Sequence, residues 1–330
     1  HYHLGWHATD TLGTIGATAA CAYLHRLDAE QSKHAIAIAA SMAGGLQKNF
    51  GSMTKPLHVG LAASHGVQAV QLAAQGFTGN LHIFSTRGFF MAFSGGMDEA
   101  LLQTKLDNIQ FGQPYDLLTG LSVKKFPCCF GTHRFIHGAL MLKEEHDIKV
   151  ETIEEIVLRA QPRSLLPLVH SRPVTGLQGK FSAEYTVLAA LFDGHVSLSS
   201  FEDEQVQREK IQQLLHKVKV IPMEESEEDK RLNRRLPVDI CIKQHNQCYE
   251  KTVLHAPGSI ENPMSEQEHR DKWISCVSHY AQHSNHPSDI QSIANALYDQ
   301  GLQMDSYTCF SEWIQAIHQQ LTRSTFKQLL

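Results

Sequence analysis

Apolar side chains recur at helical spacing through the first third of the chain. Leu12, Ile15, Ala19 and Tyr23 fall on one side of a helix predicted from Thr9 to about Arg26. Gly13 and Gly16 in this stretch predict close approach of a neighbouring helix, because a helical glycine costs roughly 1 kcal/mol relative to alanine and packing must offset it. Asp28-Ala-Glu-Gln31 has the form of a capping box opening a second helix through about Leu46. Thr54-Lys-Pro-Leu opens a third, with Pro56 in the first turn where its missing N–H does no harm. That helix runs to about Gln75 and stops at Gly76, and a shorter one is predicted over Asp98–Gln110. Up to about residue 120 the pattern is all-helical.

From Leu121 the texture changes. Val150–Arg159, Ser164–His170 and Arg235–Ile242 carry β-branched or alternating patterns suited to strands, although Pro167 and Pro237 restrict the last two to an edge, a strand start or a bulge. Phe181–Asp193 and Asp203–Lys217 read as helices, the second with Val206, Ile211 and Leu215 on one side. Glu224–Lys230 is a charge run, read as a solvated loop. Turn-rich residues from His255 to Pro263 mark a boundary, after which Ser265–His283, Asp289–Asp299 and Ser311–Leu321 look helical again. The expected fold is mainly α with an α+β domain: a helical domain over 1–120, a smaller α/β domain over 121–261 inserted into it, and a return to the helical domain over 262–330.

Composition narrows the function. With 29 Lys+Arg against 34 Asp+Glu, the 330-residue chain carries a formal charge of −5, which argues against general nucleic-acid binding. No run of about 18 apolar residues predicts a membrane span. Seven scattered cysteines, with no C-x-x-C pair, remove most zinc-ribbon and thioredoxin-like readings. Free thiols in a reducing cytoplasm are expected, including Cys241 and Cys248, which flank a short polar stretch. The chain starts at His1 without a methionine or signal-like segment, so a fragment of a longer polypeptide is expected. Histidine is the outlier at 21 residues. The i, i+4 pairs His133/His137 and His279/His283 could share a helix face, but neither carries the Glu of H-E-x-x-H, and no metal or other cofactor is expected.

Three positions invite chemistry. His7 stands just before the first predicted helix, and Lys55 lies in the first turn of the third, where unpaired N–H groups and the helix dipole favour anions. Lys124 precedes Lys125-Phe-Pro127, whose proline stiffens the loop. Cys128 and Cys129 are read as small buried thiols rather than nucleophiles. No dinucleotide fingerprint, phosphate-binding loop or G-x-S-x-G elbow is present.

Together these strings resemble a family. Gly5-Trp-His-Ala-Thr9 followed by Leu12-Gly-Thr-Ile-Gly16 is similar to the G-[FW]-H-x-T…G-T-x-G stretch of the MmgE/PrpD family. Asn49-Phe-Gly-Ser-Met-Thr-Lys-Pro-Leu-His58, Lys124-Lys-Phe-Pro-Cys-Cys with His133, and Gly179-Lys-Phe-Ser-Ala-Glu-Tyr185 resemble three more of its motifs in order. The resemblance implies an all-helical domain with an α/β lid, a homodimer, and a small di- or tricarboxylate as substrate. It places catalytic roles on His7, Lys55 and Lys124 and substrate contacts on Thr9, Thr54 and His133. It also implies an Asp, a Thr and a His from an upstream helical segment, and the N-terminal segment is expected to be missing here. A tyrosine that decarboxylase members carry near the end of a lid strand has no counterpart among Leu168, Val169 and His170, which counts against decarboxylation.

The expected chemistry is a cofactor-independent lyase of the 2-methylcitrate dehydratase kind. Lysines and helix ends would stabilise charge as a proton next to a carboxylate leaves, and His7 would serve as acid or base, kept neutral by nearby lysines. A cis-aconitate decarboxylase, an amino-dicarboxylate epimerase and a non-catalytic carboxylate-binding member are the alternatives.

Overall fold

Alanine and glycine set the geometry of the first helices. In a computed structural model, which describes residues 1–323 except 97, 111, 114, 233 and 283–289, α1 spans Ala8–Leu24, α2 Ala29–Met42 and α3 Thr54–Ala74. The capping box forms: the Gln31 N–H donates to the Asp28 side chain at 2.8 Å, and the Gln31 side chain accepts from the Asp28 N–H. The glycine that admits close helix packing is Gly66 on α3, where an added Cβ would lie 2.7 Å from the Ala17 Cβ; Gly13 has ordinary room and Gly16 faces open space. Ala22, Ala35, Ala39, Ala69, Val70 and Ala73 form the small-residue core. Buried Thr14 and Thr18 donate to backbone carbonyls four residues back, which lets a polar α1 be covered. Two shorter helices follow, α4 (Phe89–Ser94) and α5 (Glu99–Asp107).

The contacts divide the chain into two units, His1–Asp116 and Leu117–Leu330, within the short helix α6 (Asp116–Gly120). The second unit is built on a four-stranded sheet ordered β2-β1-β3-β4. Here β1 is Ile153–Ala160, β2 Val218–Pro222, β3 Val238–Gln244 and β4 Gln247–Val253. Strand β1 runs parallel to β2 and antiparallel to β3, and β3 forms a hairpin with β4. Helix α7 (Phe130–Glu145) and the later helix Ala183–Asp193 supply Phe135, Ile136, Leu142, Leu188 and Leu191 to a core shared with Ile156, Leu158, Ile240 and Ile242.

Several expectations are corrected. Ser164–His170 is no strand: α8 (Pro162–Leu165) starts on Pro162, and irregular backbone through Pro167 follows. After α9 (Gly176–Gly179) and α10 (Ala183–Asp193), the single helix expected over Asp203–Lys217 is broken into α11 (Asp203–Val206), α12 (Glu209–Leu214) and a 3-10 turn. The break falls at Arg208, whose backbone leaves the helical region (φ −50°, ψ 122°) and whose guanidinium reaches both Asp193 oxygens at 2.7 and 2.6 Å. The charge run contains α13 (Glu227–Arg231), capped by Ser226. Cys241 and Cys248 are not free thiols: the β3–β4 register makes them diagonal neighbours, Cα atoms 6.3 Å apart, and a disulfide joins them. The chain ends its described part in α14 (Glu266–Gln282), α15 (Ile290–Leu302) and α16 (Phe310–Arg323); His283 and Asp289, at the predicted helix ends, lie outside the described residues. Among the described residues, no helix is long and apolar enough to cross a membrane.

Candidate active site

His7 occupies the N-cap position of α1 with extended backbone. Its N–H donates to the Gly45 carbonyl at 2.9 Å, and its carbonyl accepts from Asp10 N, Thr11 N and the Thr11 hydroxyl. Gly45 makes this clamp possible. At φ +86°, with an added Cβ only 2.7 Å from the Asp10 Cβ, no other residue fits there. The His7 imidazole is buried, stands edge-on to Phe50 at 5.0 Å, and brings Nδ1 to within 2.9 Å of His58 Nδ1.

Lys55 lies in the first turn of α3 and His58 three residues on, so both project from one helix face. The Lys55 ammonium sits 5.8 Å from the centre of the Phe50 ring. Burial, then the Lys55 charge, then His58 push the His7 pKa down to about 4. The imidazole is therefore neutral at pH 7. Thr54 is half-buried at the start of α3, and Thr9 is exposed on α1.

In the second unit, residues 124–129 are held at both ends. Val123 N donates to the Gly258 carbonyl at 2.8 Å, and Cys129 N donates to the Lys180 carbonyl at 2.9 Å. Lys124 donates to the Cys128 carbonyl at 3.0 Å, whereas Lys125 forms an ion pair with Glu268 at 2.5 Å. Among the described residues Lys124 has no carboxylate partner, so of the two neighbouring lysines it is the one whose charge is not already matched. Lys180 lies close enough for Lys124 and burial to lower its pKa, burial being the larger cause.

Cys128 is buried, its thiol pushed up to about 12 chiefly by burial, so it is a packing residue. His133 is fully buried on α7 between Phe126 and Phe130, with ring centres 5.2 and 5.0 Å away. Neither of its nitrogens reaches a partner at good hydrogen-bond geometry among the described residues, although the Cys128 and Phe126 backbone lies close enough to favour a proton on the ring. Burial, then Lys124, lowers its pKa to about 4, against a smaller opposing pull from the Cys128 and Phe126 carbonyls. His137 shares the α7 face with it and is also shifted down by burial. The metal-capable donors that the described residues gather are Cys241, Cys248 and Glu250, and the two sulfurs are already bonded to each other.

Profiles of the MmgE/PrpD N-terminal and C-terminal domains match residues 1–101 and 126–303. The chain belongs to the MmgE/PrpD family. Both of the family's domains are represented, so the expectation that the N-terminal segment is missing is corrected: the N-terminal profile is matched from residue 1. The chain is 31 % identical over 221 residues to the cis-aconitate decarboxylase of Mus musculus and 29 % identical over 220 residues to that of Homo sapiens, each time over 65 % of this chain and 44 % of the relative. A cis-aconitate decarboxylase-like protein of Aspergillus oryzae is 25 % identical over 287 residues, 83 % of this chain and 58 % of its own. The chain thus spans about half the length of the curated relatives it matches.

Within this MmgE/PrpD chain, Lys55 lies close enough to His7 to lower its pKa, a proximity that spacing alone does not predict, and the larger cause of the low value is burial rather than lysine charge. His58 has no role in the expectation drawn from sequence. The signal was available, since Lys55 and His58 stand at i, i+3 on one helix. Lys180 stands in the sequence only as part of a motif, and nothing in its spacing shows that it lies near Lys124.

Proposed function

We propose that this protein is a lyase acting on a small polycarboxylate, and that it decarboxylates an unsaturated tricarboxylate of the cis-aconitate kind. The observation that carries the reading is the buried, neutral His7 imidazole with the Lys55 ammonium beside it. The names of the similar human, mouse and Aspergillus proteins favour decarboxylation over the dehydration expected from motifs.

The chemistry asks for two things. Loss of CO2 breaks a C–C bond and leaves its electron pair delocalised through the neighbouring double bond onto a carboxylate, where a fixed cation stabilises it. The carbon at the far end of that system then takes a proton, which must come from a positioned acid. Lys55 is the cation and His7 the acid in this reading. The free enzyme holds His7 neutral; a bound polyanion adds negative charge next to the ring and raises its proton affinity, so Nε2 takes up a proton and then delivers it to carbon. The balance is one trianion and one proton in, one dianion and one CO2 out. Lys124 is the second unit's candidate for a carboxylate contact, with Lys125 committed to Glu268.

A second reading, dehydration of a 2-methylcitrate-like substrate, is favoured by one observation. The stretch Leu168-Val-His170, where the decarboxylase-type tyrosine would be sought, offers none. Incubating the full-length protein separately with cis-aconitate and 2-methylcitrate, and measuring CO2 release and alkene absorbance, decides between them. CO2 from cis-aconitate is the expected result. A new alkene from 2-methylcitrate without CO2 would move the assignment to dehydration, and no turnover of either would defeat the lyase reading.

A further inference from the structure

We propose that His58 is the positioning residue for His7: its Nδ1 accepts the His7 Nδ1–H, so that His7 turns Nε2 alone toward a bound acid. The inference rests on the lyase reading for its purpose, but not for its geometry. Two Nδ1 atoms 2.9 Å apart in a buried site must share one proton, because two facing N–H groups, or two facing lone pairs, would repel.

Two arrangements satisfy that rule. If His58 donates, His7 holds its proton on Nε2, and a second proton could be loaded only by moving the shared one across or breaking the contact. If His58 accepts, Nε2 is bare at rest, takes up a proton without disturbing the pair, and leaves the imidazolium still bonded through Nδ1. Only the second lets His7 load and deliver a proton while its buried partner stays in place. The surrounding groups fit this cycle. Lys55, one turn before His58, opposes protonation until a counter-anion arrives. Phe50 closes one side of the ring, the Gly45 carbonyl and α1 fix the backbone, and Asp10 on α1 lies against Gly45.

Two-bond 1H–15N correlation spectra of the full-length protein labelled in histidine nitrogen test the assignment directly, since a bare and a protonated ring nitrogen differ in shift. At pH 7 His7 is expected to show Nδ1–H and a bare Nε2, and His58→Asn, whose side-chain oxygen can accept, to retain that pattern. His58→Ala is expected to lose it, to lower kcat by about 10- to 100-fold with KM changed by less than about 3-fold, and His58→Asn to recover part of kcat. Nε2–H on His7 in the unsubstituted protein, or an unchanged His7 tautomer in His58→Ala, would overturn the proposal. Should His58→Ala not fold, the unsubstituted protein and His58→Asn spectra still decide. The expected tautomer in a protein that turns over no polycarboxylate would uphold the proton's placement and defeat the lyase reading, so the two failures are separable.

Discussion

His7 and His133 are both buried histidines with a lysine nearby, and both have the pKa pushed down to about 4 with burial as the first cause. They differ in what their nitrogens meet. His7 has one nitrogen engaged by His58 and its ring edge on Phe50, and its backbone is clamped by Gly45. His133 is sealed between two phenylalanines with neither nitrogen at good hydrogen-bond geometry to a partner among the described residues. A depressed pKa therefore marks burial in both, and what separates the two rings is the directed hydrogen bond that His7 makes to another imidazole.

The sharpest way to break this contrast is kinetic. His7→Ala and Lys55→Ala are each expected to lower turnover by at least about 10²-fold, the scale for losing an acid–base or electrostatic group; steady-state rates near those of the unsubstituted protein in both variants would remove the pair from the chemistry. In the second unit, Lys124→Ala should approach the same loss, while Lys125→Ala should change turnover by less than about 3-fold and stability by at most about 1 kcal/mol, as for a half-exposed ion pair. A reversal of the two would shift the functional amine by one position.

Titration compares the histidines on stability. In the unfolded chain both take up protons near the ordinary value of 6.5, but in the folded protein only near 4, so the unfolded state binds more protons between these limits. Stability is full above about pH 6.5 and falls as pH drops toward 4, which urea midpoints at several pH values would record. His133→Leu should flatten part of that slope. At pH 7 it should leave stability unchanged or raise it by about 1 kcal/mol, because two buried nitrogens without a well-aligned partner are replaced by an apolar group. A raised KM in the same variant would instead place His133 against the substrate.

Much of the helical part was legible in the chain. The Asp28 capping box, the start of α3 at Thr54 and its stop at Gly76, which adopts φ +86°, are local events governed by a few consecutive residues. The edge strands β2 and β4 were not. On β2 the alternation is only the three residues Val218-Lys219-Val220, and on β4 the adjacent Glu250 and Lys251 interrupt it; the strands exist because β1 and β3 offer backbone partners. The hairpin between β3 and β4 did carry a sign, His245-Asn246, both at positive φ, a two-residue turn that follows the twist of its strands. The disulfide depended on that hairpin's register and could not be read from a seven-residue spacing alone.

Local chemistry along the chain was enough to specify where helices begin, which residues are small enough to pack, and that His7, Lys55 and Lys124 carry charge or titrate at places where little else does. Folding alone chose which of these groups would be desolvated, which lysine would meet a carboxylate, and that the His58 ring would come to rest against His7. The physical reason is range: capping and helix faces act over four residues or fewer, whereas desolvation and the fifty-one-residue contact between two imidazoles arise only when distant segments are packed together.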